Sequence, residues 1–162
     1  MSQVGRQIKR ALWLLAFCFL APALAMAECR TETVFLKGDW GQARFAVEVA
    51  DTASERAVGL MYREKMPRMA GMLFVYPSAQ RVSFWMRDTY IPLDMFFLNE
   101  AGIVTRIHEN AVPLDETPIP GGDDIKFVLE LNAGMAKRLG IATGSLMRHP
   151  SVEASRAAWP CR

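Results

Sequence analysis

A few polar residues stand where the surrounding chain is almost wholly apolar, and these are the positions with chemistry to offer. Arg56 lies one turn before Leu60, Trp85 and Thr89 fall in FWMRDTYIPLD, Asp94 is set against Met95, Phe96 and Phe97, and Glu130 sits inside VLELN. A polar group in so apolar a context needs a partner. Two arrangements supply one. In the first, Arg56 makes a two-pronged bond to Asp94 or Glu130 and fastens a helix to a sheet. In the second, the same residues floor a pocket shared with the open face of Trp85, in which Arg56 binds an anionic ligand or Asp94 and Glu130 divide acid and base roles. Glycoside hydrolysis needs two carboxylates about 5 to 9 Å apart. Asp94 with Glu130 is the pair to nominate.

A second constellation is methionine. Met66, Met69 and Met72 are spaced by three, with Met61 upstream and Trp85-Met86 downstream. Soft thioethers select Cu(I), and a Trp face can lie over a cation, so a copper carrier is one reading. Core filling is the other, since Met occupies irregular gaps and Pro67 keeps the three off one regular helix. His108 and His149 have no partner at helical spacing, which excludes an HExxH zinc hydrolase. Ser83 has no GxSxG setting, and no glycine loop is built to cradle phosphate. No cofactor is expected.

Compartment is written at the N-terminus. Arg6, Lys9 and Arg10 precede the 17-residue, nearly uninterrupted apolar run 11–27, broken by Pro22 and ending Ala25-Met26-Ala27. A basic start, a short apolar middle and an A-x-A end make a secretory signal peptide, with cleavage expected after Ala27. A membrane span needs about 20 apolar residues, so contact with the membrane is expected only during export. Glu28 before Cys29 disfavours a lipoprotein. The localisation expected is periplasmic or secreted.

Losing residues 1–27 removes three of the 19 Lys and Arg and none of the 17 Asp and Glu, leaving 16 against 17, a formal charge of −1. With no basic excess, nucleic-acid binding has no electrostatic basis. Cys18 leaves with the signal. The remaining pair, Cys29 and Cys161, are second and next to last of 135 residues, and an even pair in an oxidising compartment reads as a disulfide joining the two ends. No CxxC spacing favours a redox or metal site. A chain of this length with no linker or repeat makes one compact domain, 28–162.

The elements that must hold these side chains follow from pattern. Residues 33–36 and 44–49 read as strands joined by a turn at 38–41. Thr52-Ala53-Ser54-Glu55 is a capping box opening a helix of about nine residues, with Ala57, Leu60 and Met61 inward and Gly59 within it. Strands are expected at 72–76, 82–87, 93–98, 103–109 and 125–131, a short helix at 134–139 and an edge at 144–147. The intervening 113–124, PLDETPIPGGDD, reads as a long surface loop and a possible lid. The fold class is mainly β, an antiparallel sandwich or barrel-like sheet with two short α-helices.

Four blocks carry a resemblance: RAVGLM (56–61), GMLF (71–74), FWMRDTYIPLD (84–94) and LELNAG (129–134). In order and spacing they resemble the signature of the domain-of-unknown-function family numbered one-nine-two, over about 34–147. The resemblance implies a small, mainly β domain, often behind a signal peptide, with no activity or cofactor attached. The function expected is an exported envelope protein binding a small ligand or an envelope partner, with Arg56, Trp85, Thr89, Asp94 and Glu130 as the site. The alternatives are a hydrolase acting on an envelope glycan and a periplasmic Cu(I) carrier.

Overall fold

The computed structural model describes residues 29–161. The expected signal peptide, with Cys18 in it, lies outside the described residues. The elements run β1 (Thr33–Gly38), β2 (Gly41–Ala50), α1 (Ala53–Val58), β3 (Ala70–Phe84), β4 (Leu93–Leu98), β5 (Val104–Ala111), β6 (Ile119–Asn132), α2 (Met135–Leu139) and β7 (Leu146–Arg148). The strands form one curled sheet in the order β5-β4-β6-β3-β2-β1-β7. Its two ends approach each other: Ile103 bridges Leu146, and the Val104 N–H donates to the Ser145 carbonyl at 2.9 Å. The mainly β, barrel-like expectation holds.

The central strands separate two apolar clusters by parity. Along β6, Phe127, Leu129 and Leu131 join one cluster with Phe45, Leu73 and Phe96. Val128 joins the other with Met72, Phe74, Met95 and Phe97. Every residue of β4 is buried, as expected of a strand covered on both faces. The turn at 38–41 forms as expected, pairing Gly38 with Gly41. Cys29 and Cys161 are disulfide-bonded, with their Cα atoms 5.8 Å apart.

Four expectations are corrected. The segments 72–76 and 82–84 belong to one 15-residue strand, β3, interrupted only in its pairing, since the register with β6 shifts between Val75 and Ser83, while 85–87 lie beyond its end. Pro77-Ser78 therefore marks a bulge rather than a strand end. The loop expected over 113–124 is confined to 112–118, because Ile119, Pro120 and Gly122 pair with Phe84, Ser83 and Val82. Proline and glycine are tolerated there because the pairing is irregular. At Gly121 the phenyl ring of Phe97 leaves no room, since a Cβ would meet its Cδ1 at 2.3 Å.

Helix α1 spans six residues rather than nine and has no buried side chain. Gly59 is not inside it but caps it at φ 51°, ψ −131°, a backbone open to little but glycine. Leu60 then reaches the core from beyond the helix end, being 3% exposed. Finally, the sheet is not wholly antiparallel. Strands β2 and β3 run parallel, Ala46 facing Ala70, with α1 in the crossover between them.

Candidate functional site

The crossover after β2 sets a helix over one face of the sheet, and the site forms beneath it. Thr52 caps α1 reciprocally with Glu55. This fixes Arg56 one turn on. Its Nη1 donates to the Val75 carbonyl at 2.8 Å and to the Asp51 carbonyl, and the guanidinium lies 5.1 Å from the Tyr76 ring centroid. The expected bond from Arg56 to Asp94 or Glu130 is not made. Arg56 ties α1 to β3 through backbone oxygens instead.

Glu130 lies in the middle of the sheet, opposite Met72 on β3 and Met95 on β4. It is 4% exposed as a residue, no hydrogen bond to its carboxyl is made among the described residues, and its oxygens open on a cleft rather than being sealed in the core. Burial raises its pKa from 4.5 to about 8, since the charged form is the one that loses hydration. The acid is therefore mostly protonated at neutral pH.

Above Glu130 is a cleft of about 240 Å³. Its walls are Phe74, Tyr76, Phe84 and Leu60, with Gly59 at the helix end. Phe84 packs edge-on to Phe74 at 5.1 Å and to Phe97 at 5.9 Å, which makes the wall rigid. Ser83, Trp85, Arg87 and Thr89 complete the lining. Trp85 is 46% exposed, and the Arg87 guanidinium stacks on its ring at 4.4 Å. Buried Thr89 donates its hydroxyl to the Arg87 carbonyl at 3.2 Å, holding that turn. Burial also pushes the Tyr76 hydroxyl above its ordinary pKa.

Four of the five sequence-nominated residues, Arg56, Trp85, Thr89 and Glu130, thus line one cleft. Asp94 does not. It pairs with Leu131, one residue along from Glu130, and one step along a strand reverses the face. Asp94 therefore points into the opposite cluster, where it accepts the Asn110 N–H at 2.9 Å and the Ala136 N–H at 2.8 Å. Gly134, at the α2 N-cap, has no side chain to give, so a β4 carboxylate caps α2 from outside. We expect Asp94→Ala to lose about 2 to 3 kcal/mol in urea unfolding, by stranding two backbone donors. A loss below about 0.5 kcal/mol would show that the two bonds hold nothing.

Sequence reasoning missed Tyr76 and Arg87. Tyr76 follows Met72 and Phe74 at period two, so alternation along β3 could have found it. Arg87 carries no such signal, because only the turn after β3 returns it over Trp85. The methionines do not form a set: Met72 is buried in the Glu130-side cluster, Met66 packs on that cluster, and Met69 is 39% exposed. His149 is buried, bonded through Nε2 to the Thr31 carbonyl at 2.8 Å and accepting the Ser151 N–H at Nδ1, and burial lowers its pKa. Among the described residues no three His, Cys, Asp or Glu are grouped to hold a metal. None of 113–118 lines the cleft, so the loop is no lid in this structure. It hydrogen-bonds to the Met86 and Thr89 backbone through the Leu114 N–H.

A family model for a domain of unknown function, described as an uncharacterised ACR, matches residues 34–149. The chain belongs to the DUF192 family. The match takes in every residue of the cleft. Two solved structures are similar at 42% identity and a TM-score of 0.70. One is a protein of unknown function from Novosphingobium aromaticivorans, with 71% of this chain and 82% of that chain covered. The other, from Sinorhizobium meliloti, is described as a proposed transcription regulator, with 74% and 94% covered. No functionally curated protein matches. The expected DUF192 membership is thus shown, and it brings no activity with it.

Proposed function

We propose that this DUF192 protein is an exported envelope module that binds a small ligand in the cleft over Glu130. The single observation that carries the reading is the carboxyl of Glu130, nine-tenths buried, unpartnered among the described residues, and lining an aromatic-walled cavity. The carboxyl oxygens open on the cleft, since among the described residues the sealed side-chain atom without a partner is Arg148 Nε. A ligand that hydrogen-bonds the carboxyl answers a group to which the fold gives no partner, which is how a few polar groups in an apolar pocket produce affinity and orientation. Export is supported by the basic, apolar and A-x-A segments of 1–27 and by the disulfide between Cys29 and Cys161.

The alternatives have less beneath them. An envelope-glycan hydrolase needs its second carboxylate on the same face, and Asp94 points the other way. A Cu(I) carrier needs its thioethers grouped and open, and Met72 is core. The regulator description of the Sinorhizobium protein has no charge to rest on here, since residues 28–162 hold 16 basic and 17 acidic side chains.

Screening the purified protein with aromatic fragments by amide NMR tests the reading. Shifts are expected at Gly59, Ser83, Trp85 and Glu130, and Trp85→Ala should weaken binding about 5- to 10-fold while leaving the fold intact, because the indole is largely in solvent. Fragments that bind elsewhere, or with unchanged affinity in Trp85→Ala, would count against the cleft.

A further inference from the structure

The cleft contains more than a surface on which a ring can stack. Among its polar side chains are two guanidiniums, the three hydroxyls of Tyr76, Ser83 and Thr89, and the carboxyl of Glu130. Arg87 stacks on Trp85 and forms no ion pair among the described residues. Arg56 spends Nη1 on backbone carbonyls, and its other guanidinium hydrogens have no partner among the described residues. No other carboxylate lines the cavity. The nearest in sequence, Asp88, accepts the Tyr62 hydroxyl at 3.1 Å outside it.

We infer that the cleft selects a small organic anion with an aromatic or apolar body, its carboxylate taken up by the guanidiniums of Arg56 and Arg87 and by the carboxyl hydrogen of Glu130. This rests on the ligand-binding reading above and adds the class of ligand. A cation in the same place would have to ionise Glu130 against its burial and sit beside two fixed positive charges. A neutral ring would leave the guanidinium donors unanswered. An anion satisfies all three groups, and bonds in which one partner is ionised are the stronger kind. At about 240 Å³ the cavity suits one ring and one head group rather than a chain.

The class predicts a pH dependence. Tyr76 from β3 is the titratable group that Glu130 acts on, β3 and β4 set Met72 and Met95 beside it, and Arg56 from α1 and Arg87 from the turn after β3 line the same cleft. Tyr76 is itself pushed up by burial and stays protonated, so Glu130 is the group that changes state near pH 8. Above that pH a second negative charge faces the ligand.

The experiment compares benzoate, benzyl alcohol and benzylammonium on the purified protein by amide NMR at pH 7 and pH 9, in the native protein, Glu130→Gln and Arg87→Ala. Benzoate is expected to bind at least tenfold tighter than the other two and to lose about tenfold between pH 7 and pH 9. That loss should vanish in Glu130→Gln, whereas Arg87→Ala should weaken benzoate at both pH values. If benzyl alcohol or benzylammonium binds as well as benzoate in the cleft, the anion class is overturned and the ligand-binding reading stands. If none of the three moves Gly59, Trp85 or Glu130, both fall.

Discussion

Replacing Glu130 by glutamine is expected to stabilise this protein, by more the higher the pH. The folded carboxyl holds its proton to about pH 8, against an ordinary 4.5, because burial strips water from the charged form. Between those values the folded state binds a proton that the unfolded chain has released, so unfolding stability falls as pH rises. Glu130's contribution is full below about pH 4.5 and is lost progressively up to about pH 8. Each unit of difference is worth about 1.4 kcal/mol, so the ceiling is about 5 kcal/mol. Glutamine has nearly the same shape and does not titrate. Urea unfolding at pH 5, 7 and 8.5 should show the two proteins nearly equal at pH 5 and Glu130→Gln ahead by several kcal/mol at pH 8.5. A gap that stays constant with pH would mean that the acid is hydrated in the folded state. That a residue less stabilising than glutamine at neutral pH lines the cleft fits the proposed binding role, where stability and function trade against each other.

The second large effect is the loss of the end-to-end disulfide. Cys29 and Cys161 are 132 residues apart, and closing so long a loop restricts the unfolded chain by up to about 4 to 5 kcal/mol in the chain-entropy treatment. Paired Cys29→Ser and Cys161→Ser changes are therefore expected to lower stability by about 2 to 5 kcal/mol. The native fold should survive, since the C-terminal tail has anchors of its own. The Trp159 ring takes Lys37 and Arg148 at 4.5 Å each, and the Ala158 N–H donates to the Ala101 carbonyl at 3.0 Å. Urea midpoints with and without reductant check this in the unaltered protein. Midpoints that coincide would mean that the bridge restrains little beyond what those contacts already hold.

Part of the site was legible because its residues announce themselves by contrast. Glu130 interrupts an apolar run, Arg56, Trp85 and Thr89 stand beside apolar residues in the signature blocks, and all four line the cleft. Asp94 interrupts one equally well and lies on the other face. Nothing local separates Asp94 from Glu130, since both are single acids in apolar strands. The difference is a one-residue offset between β4 and β6, which side-chain parity turns into opposite sides of a sheet. The residues 119–124 misled for a related reason. Pro120, Gly121 and Gly122 are turn residues by composition, yet β6 begins there because Phe97 needs the space of a missing Cβ and an irregular register tolerates proline.

Features that depend on neighbours in the chain were therefore readable in advance: the Thr52–Glu55 capping box, the turn from Gly38 to Gly41, the mainly β class and the pairing of the two terminal cysteines. Each rests on spacing, on residue type or, for the cysteines, on parity of number in the oxidising compartment that residues 1–27 lead one to expect. Strand order, the parallel pairing of β2 with β3 and the face each acid occupies were not readable. Those depend on the register between strands far apart in sequence, which is set by how two buried clusters pack on a curled sheet. The cleft belongs to this second group. Its walls come from α1, β3 and β6, and only their packing turns an apolar-flanked glutamate into a buried acid facing an open space.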